Sequence, residues 1–158
     1  MNLRKLAGLT ALWVIAALPA FAQLDRVVAE AVDGDIDCLP CAATIEMALK
    51  KVPGVDKVSV SMSKQMVAIT FLEGASFTPE QYRDAIGKAE VRVQEFHVAM
   101  RGKVELEGDR QYFVSGKDRY LIVKAPQGMP TGAPLGIMAK VDDSSKPFKA
   151  SVDDFKPQ

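Results

Sequence analysis

Two stretches with apolar residues at helical spacing, Ile45-Ala48-Leu49-Val52 and Tyr82-Ala85-Ile86-Ala89, each stand between runs with β character. The first belongs to a helix predicted over Ala42 to Val52, which Pro53-Gly54 stops. The second opens at Thr78-Pro79-Glu80-Gln81, with Thr78 as N-cap, Pro79 at the first helical position and Gln81 three residues after the cap. Leu24 to Val32, Val55 to Ser61, Met66 to Leu72 and Val91 to Val98 are predicted strands. A short turn near Met62 to Gln65 joins the middle pair.

The order is β-α-β-β-α-β over about 75 residues. It matches a ferredoxin-like sandwich, with a pair of helices on one face of an antiparallel sheet. After Met100 the helical stripes vanish. Short β runs follow at Gly102 to Leu106, Gln111 to Ser115, Arg119 to Lys124, Leu135 to Val141 and Phe148 to Val152. Gly108-Asp109 and Gly116-Lys117-Asp118 are hairpin turn signals, and Ala125 to Pro134 is a Pro/Gly-rich loop. The expected class is α+β: a ferredoxin-like βαββαβ sandwich at residues 23–99, then a small all-β, OB-like module at 100–158. A module that small gains stability by packing on its neighbour.

Residues 1–22 carry Arg4 and Lys5, an apolar run from Leu6 to Leu18, and Ala20-Phe21-Ala22. That is the pattern of a secretory signal peptide cut before Gln23. The run is too short for a membrane span, so a periplasmic or secreted protein with no span after cleavage is expected. Losing Arg4 and Lys5 from a balance of 20 basic and 20 acidic residues leaves 18 against 20. Such a surface offers no reason to bind nucleic acid or an anionic membrane.

The only two cysteines stand in Asp37-Cys38-Leu39-Pro40-Cys41, on a loop opening into the first helix. Free N–H groups and the helix dipole favour thiolates there. Such a pair can grip a soft metal or cycle between dithiol and disulfide. A purely structural bridge would close too short a loop to restrain the unfolded chain. Thiolates select Cu(I), Hg(II) and, less strictly, Zn(II). A closed structural zinc site takes four ligands, and the chain has two thiols.

With this loop after the first strand, residues 24–98 resemble the heavy-metal-associated domain. That module occurs in copper chaperones, metal-ATPase N-terminal repeats and the periplasmic mercury-binding protein. The family's Gly-Met-x-Cys-x-x-Cys reads here Asp35-Ile36-Asp37-Cys38-Leu39-Pro40-Cys41, and Val52-Pro53-Gly54-Val55 with Val58 resembles the segment after its first helix. The resemblance implies that Cys38 and Cys41 are the metal ligands and that Ile36 is the apolar plug beneath the loop. Asp37 is a candidate third ligand, as in the zinc, cadmium and lead branch of the family; its plainer reading is a solvated loop acid. Asp35 departs from the family's glycine, and Ala89-Glu90-Val91 from its Ala-Gly-Tyr.

The expected function is binding a soft metal ion for buffering or transfer, with Cu(I) favoured and Zn(II) or Hg(II) as alternatives. A metal-transporting membrane protein or another metallochaperone would be the partner, and no enzyme activity is expected. The competing classes are a periplasmic thiol–disulfide redox protein and a non-metal interaction module with bridged cysteines. Cys-x-Pro-Cys also resembles the thioredoxin motif, but the element order differs from that fold. No Ser-His-Asp, paired-carboxylate or phosphate-loop set is visible.

Other residues have plain readings. His97, the single histidine, is expected to be structural: on a strand antiparallel to the first it falls roughly 20 Å from the metal end at about 3.3 Å per residue. Met62 is read as a turn or core residue, and Met100, Met129 and Met138 form no methionine cluster. Tyr112, Phe113 and Tyr120 are read as core rather than as a base-stacking platform.

Overall fold

The computed structural model describes residues 23–158; the expected signal peptide lies outside the described residues. The chain begins with β1 (Gln23–Ala31), α1 (Leu39–Leu49), β2 (Val55–Ser61), β3 (Met66–Phe71), α2 (Pro79–Gly87) and β4 (Val93–Glu107). It ends with β5 (Arg110–Ser115), β6 (Asp118–Lys124), β7 (Pro134–Asp142) and β8 (Phe148–Pro157). The α+β expectation and the βαββαβ order are observed. Among the described residues no helix is long and apolar enough to cross a membrane.

Helix α1 starts three residues before the predicted Ala42, because Pro40 suits its first turn and Cys38 caps it. Ile45, Ala48 and Leu49 are its buried stripe. Helix α2 starts at Pro79 as expected, but the capping box does not form. The N–H groups of Gln81 and Tyr82 donate to the Thr78 carbonyl at 3.1 and 3.2 Å, while the Thr78 hydroxyl is buried with no partner among the described residues. The Tyr82 hydroxyl takes over this corner, accepting from Thr78 N–H and donating to the Ser76 carbonyl, both at 3.2 Å.

The predicted strands Val91 to Val98 and Gly102 to Leu106 are one strand, β4, so the expected division at 99/100 falls inside it. Gly102, the first residue of the second predicted run, lies inside this strand. In the fold it is a close approach: a Cβ there would meet the Val114 carbonyl oxygen at 2.0 Å.

Strand β4 also explains how the β region is attached. One edge pairs with β1 from Val93 to Arg101, and where β1 runs out β5 takes over the same edge from Lys103 to Glu107. The opposite edge pairs with β7 from Phe96 to Lys103. With β5–β6, a parallel β6–β8 pair and β7–β8, the strands β4-β5-β6-β8-β7 close into a barrel that shares β4 with the ferredoxin-like sheet β2-β3-β1-β4.

The core is correspondingly continuous. Val27, Ala29, Ile45, Leu49, Val67, Ile69 and Ile86 join one buried cluster with Tyr120, Leu135, Ile137, Ala150 and Val152 from the barrel. Phe77, on the loop before α2, is the junction. Its ring lies 5.8 Å from Tyr82, 5.6 Å from Phe96, 6.2 Å from Tyr120 and 5.6 Å from Phe148, centroid to centroid. Arg83 of α2 adds a bidentate pair to Asp143 after β7, with both contacts at 2.8 Å.

The Phe77 N–H donates to Asp118 Oδ2 at 2.8 Å. Burial raises the Asp118 carboxyl above its ordinary range, only partly offset by that bond and one to Ser76. A carboxylate with a folded pKa above its unfolded one loses stability as pH rises from the unfolded value through the folded one. Asp118→Asn keeps an oxygen for Phe77 N–H without the buried charge. Its melting temperature is expected to gain on wild type as pH rises from about 3 to about 7. A difference that stays flat with pH would count against this.

Candidate metal centre

The loop that presents the cysteines is built by three fastenings. At the first, Asp33-Gly34 turns the chain out of β1, with Gly34 at a φ of 82° and Asp35 N–H donating to the Val32 carbonyl at 3.0 Å. At the second, Ile36 is 1% exposed and sits beneath the loop as the expected apolar plug. Its backbone is gripped from the β2–β3 turn: Ile36 N–H donates to Gln65 Oε1 at 2.8 Å, and Gln65 Nε2 donates back to the Ile36 carbonyl at 3.0 Å. Gln65 itself holds a left-handed φ of 53°. At the third, Asp35 receives Arg92 Nε at 3.0 Å, Nη2 at 2.9 Å and the Arg92 N–H at 3.0 Å. The guanidinium holds the Asp35 carboxyl below the usual carboxylate range. The departure from glycine at this position therefore brings an anchor between the loop and the start of β4.

Neither Gln65 nor Arg92 was found by sequence reasoning. Their partners lie 29 and 57 residues away, and no local pattern marks such a pair. Removing the Gln65 amide leaves Ile36 N–H and C=O without their partner in a protected place. Gln65→Ala is expected to cost about 1–3 kcal/mol in denaturant unfolding and to speed amide exchange at Ile36. Unchanged exchange would exclude the clamp.

On this frame Cys38 is the N-cap of α1, with extended backbone at φ −137° and ψ 147°, and Cys41 lies in the first turn. Cys41 N–H donates to Cys38 Sγ at 3.1 Å. Cys38 and Cys41 are joined by a disulfide, with Cα atoms 5.2 Å apart. The sulfurs therefore share one small space at the positive end of the helix, and both residues are partly exposed. Asp37 Oδ1 lies 3.7 Å from Cys41 Sγ, so the three candidate ligand residues are adjacent. Leu39, between the cysteines, is 76% exposed.

The model of the heavy-metal-associated domain family matches residues 34–91, from the cysteine loop to just past α2. That segment is a heavy-metal-associated domain. The match leaves β1, β4 and the rest of the barrel outside it. One similar solved structure comes from work on crosstalk between Cu(I) and Zn(II) homeostasis; it is 29% identical over 46% of this chain and 97% of its own, with a TM-score of 0.36. Another is a copper-binding domain from a P-type ATPase, 21% identical over 45% of this chain and 92% of its own, with a TM-score of 0.38. No curated protein matches the chain.

The residues given plain readings fall as follows. Met62 packs partly buried against the core. Phe113 and Tyr120 are fully buried. His97 pairs with Val28 in mid-strand and stands on the face of the sheet away from the helices, with its side chain 39% exposed.

Proposed function

We propose that the reduced protein binds a soft metal ion through the thiolates of Cys38 and Cys41, for buffering or transfer. The observation that carries this reading is a partly exposed sulfur pair at a helix start, within a heavy-metal-associated domain. Heavy-metal binding follows from the domain. Cu(I) is favoured because a pair of thiolates suffices for a near-linear site, and soft sulfur prefers it. Asp37 beside Cys41 supplies a harder third donor that would widen the range to Zn(II), with Hg(II) also served by the sulfurs. Loading requires the bridge to open: two electrons and two protons, from a thiol donor, convert the disulfide to a pair of thiols. Both then give up their protons to the ion's ligation.

The ion would pass to a metal-transporting membrane protein or another metallochaperone by exchange of one thiolate for another, with no chemical transformation to catalyse. The Arg4-Lys5 start, the Leu6 to Leu18 run and Ala20-Phe21-Ala22 support export to the periplasm or beyond. The shared β4 and the parallel β6–β8 pair support an OB-like reading of the barrel.

The bridge itself favours a second reading, thiol–disulfide exchange. Titration of the reduced protein with Cu(I), Hg(II) and Zn(II), with measurement of the dithiol's reduction potential, separates the readings. Tight stoichiometric binding supports the carrier. Insulin reduction without metal binding supports exchange.

A further inference from the structure

A separate cluster lies on the open face of the sheet. Glu30 of β1 stands directly opposite Glu95 of β4, and Val28 opposite His97. Because side chains alternate along a strand, Glu30, Glu95 and His97 share the face away from the helices. Like charges set directly opposite are destabilising, yet both carboxylates turn toward His97 Nε2, which lies 2.8 Å from Glu95 Oε1 and 3.5 Å from Glu30 Oε2. Lys140 of β7 pairs with the other oxygen, Glu95 Oε2.

We propose that Glu30, Glu95 and His97 form a second cation site, for a borderline divalent ion such as Zn(II), independent of the cysteines. Zinc bonds to nitrogen and oxygen run about 2.0–2.2 Å, so neighbouring ligand atoms around one ion stand about 2.8–3.6 Å apart. The two nitrogen–oxygen distances here already fall in that range. All three ligand atoms lie within 4.8 Å of one another. The space a proton bridges between imidazole and carboxylate is the space a dication takes when the imidazole is neutral.

Lys140 occupies the oxygen the ion does not need and fixes the carboxylate's orientation, as an outer partner does in metal sites. With neutral imidazole, two carboxylates and one ammonium leave a net negative charge to meet the dication. A recess of about 160 Å³ lined by Arg26, Val28, His97, Met138 and Asp153 adjoins the cluster and admits the waters that complete the coordination. Nitrogen and carboxylate donors suit Zn(II) and disfavour Cu(I), so this site and the thiol pair sort ions differently.

The test uses a Cys38→Ser/Cys41→Ser protein, which silences the thiols, titrated with Zn(II) alone. His97 is the only histidine, so its imidazole NMR signals need no assignment. Saturable shifts of those signals at one equivalent are expected. His97→Gln and Glu30→Gln, checked for folding by circular dichroism and titrated with Zn(II) by calorimetry, are expected to weaken binding about 10-fold or more. Imidazole signals that ignore Zn(II) at millimolar concentration overturn the site. So does undiminished binding in the His97→Gln protein, which would leave the cluster an ordinary cross-strand charge network.

Discussion

Replacing both cysteines, as Cys38→Ser/Cys41→Ser, is expected to abolish stoichiometric Cu(I) binding while leaving the fold in place. Partners outside the ligand shell typically cost about 10–100-fold in affinity when removed, so loss of the direct soft donors should exceed that range. Asp37 cannot compensate, because a lone carboxylate is a poor match for a soft ion. Stability should change little: the bridge spans a sequence separation of 3 and therefore restrains little unfolded chain. Serine is also a good N-cap for α1. Competition with a Cu(I) chelator under reducing conditions gives the affinity, and far-UV circular dichroism checks the fold. A double variant that holds Cu(I) as tightly as wild type would end the thiolate reading. Asp37→Ala separates the finer question: it should reduce Zn(II) affinity more than Cu(I) affinity if the carboxylate ligates.

Phe77→Ala is expected to be the most destabilising single truncation, at about 3–5 kcal/mol. Domains of this kind are stable by about 5–15 kcal/mol, so the loss removes a large share. The reason is position. Phe77 is 4% exposed and meets rings from α2, β4, β6 and β8 at once, two of them edge-on. Truncation leaves a cavity where the α/β half meets the barrel, and no single neighbour can move to fill it. Phe77→Leu keeps most of the volume and should lose clearly less. Urea unfolding followed by circular dichroism measures both. A Phe77→Ala midpoint within error of wild type would mean that the Phe77 ring is not what holds the halves together.

Much of this was legible in the chain. Alternation marked β2 and β3 within a residue of their observed ends, and the stripes of Ile45-Ala48-Leu49 and Tyr82-Ala85-Ile86 marked the buried faces of both helices. Turn signals separated β5, β6 and β7, and the run Phe148 to Val152 marked the first half of β8, which continues to Pro157. These succeeded because period and turn chemistry act over a few residues. The division after Met100 failed for the same reason: the change of texture there is local, whereas β4 runs on through Gly102, whose cause is the Val114 carbonyl across the sheet.

The sequence alone thus determined the elements, the cysteine pair and its setting at a helix start, since each depends on neighbours along the chain. Tertiary structure decided the rest. It made β4 a strand common to sheet and barrel, pinned the cysteine loop with Gln65 and Arg92, and brought Glu30 across to His97. Those contacts join residues tens of positions apart, and which distant strands become neighbours in a sheet is decided by the packing of the whole chain.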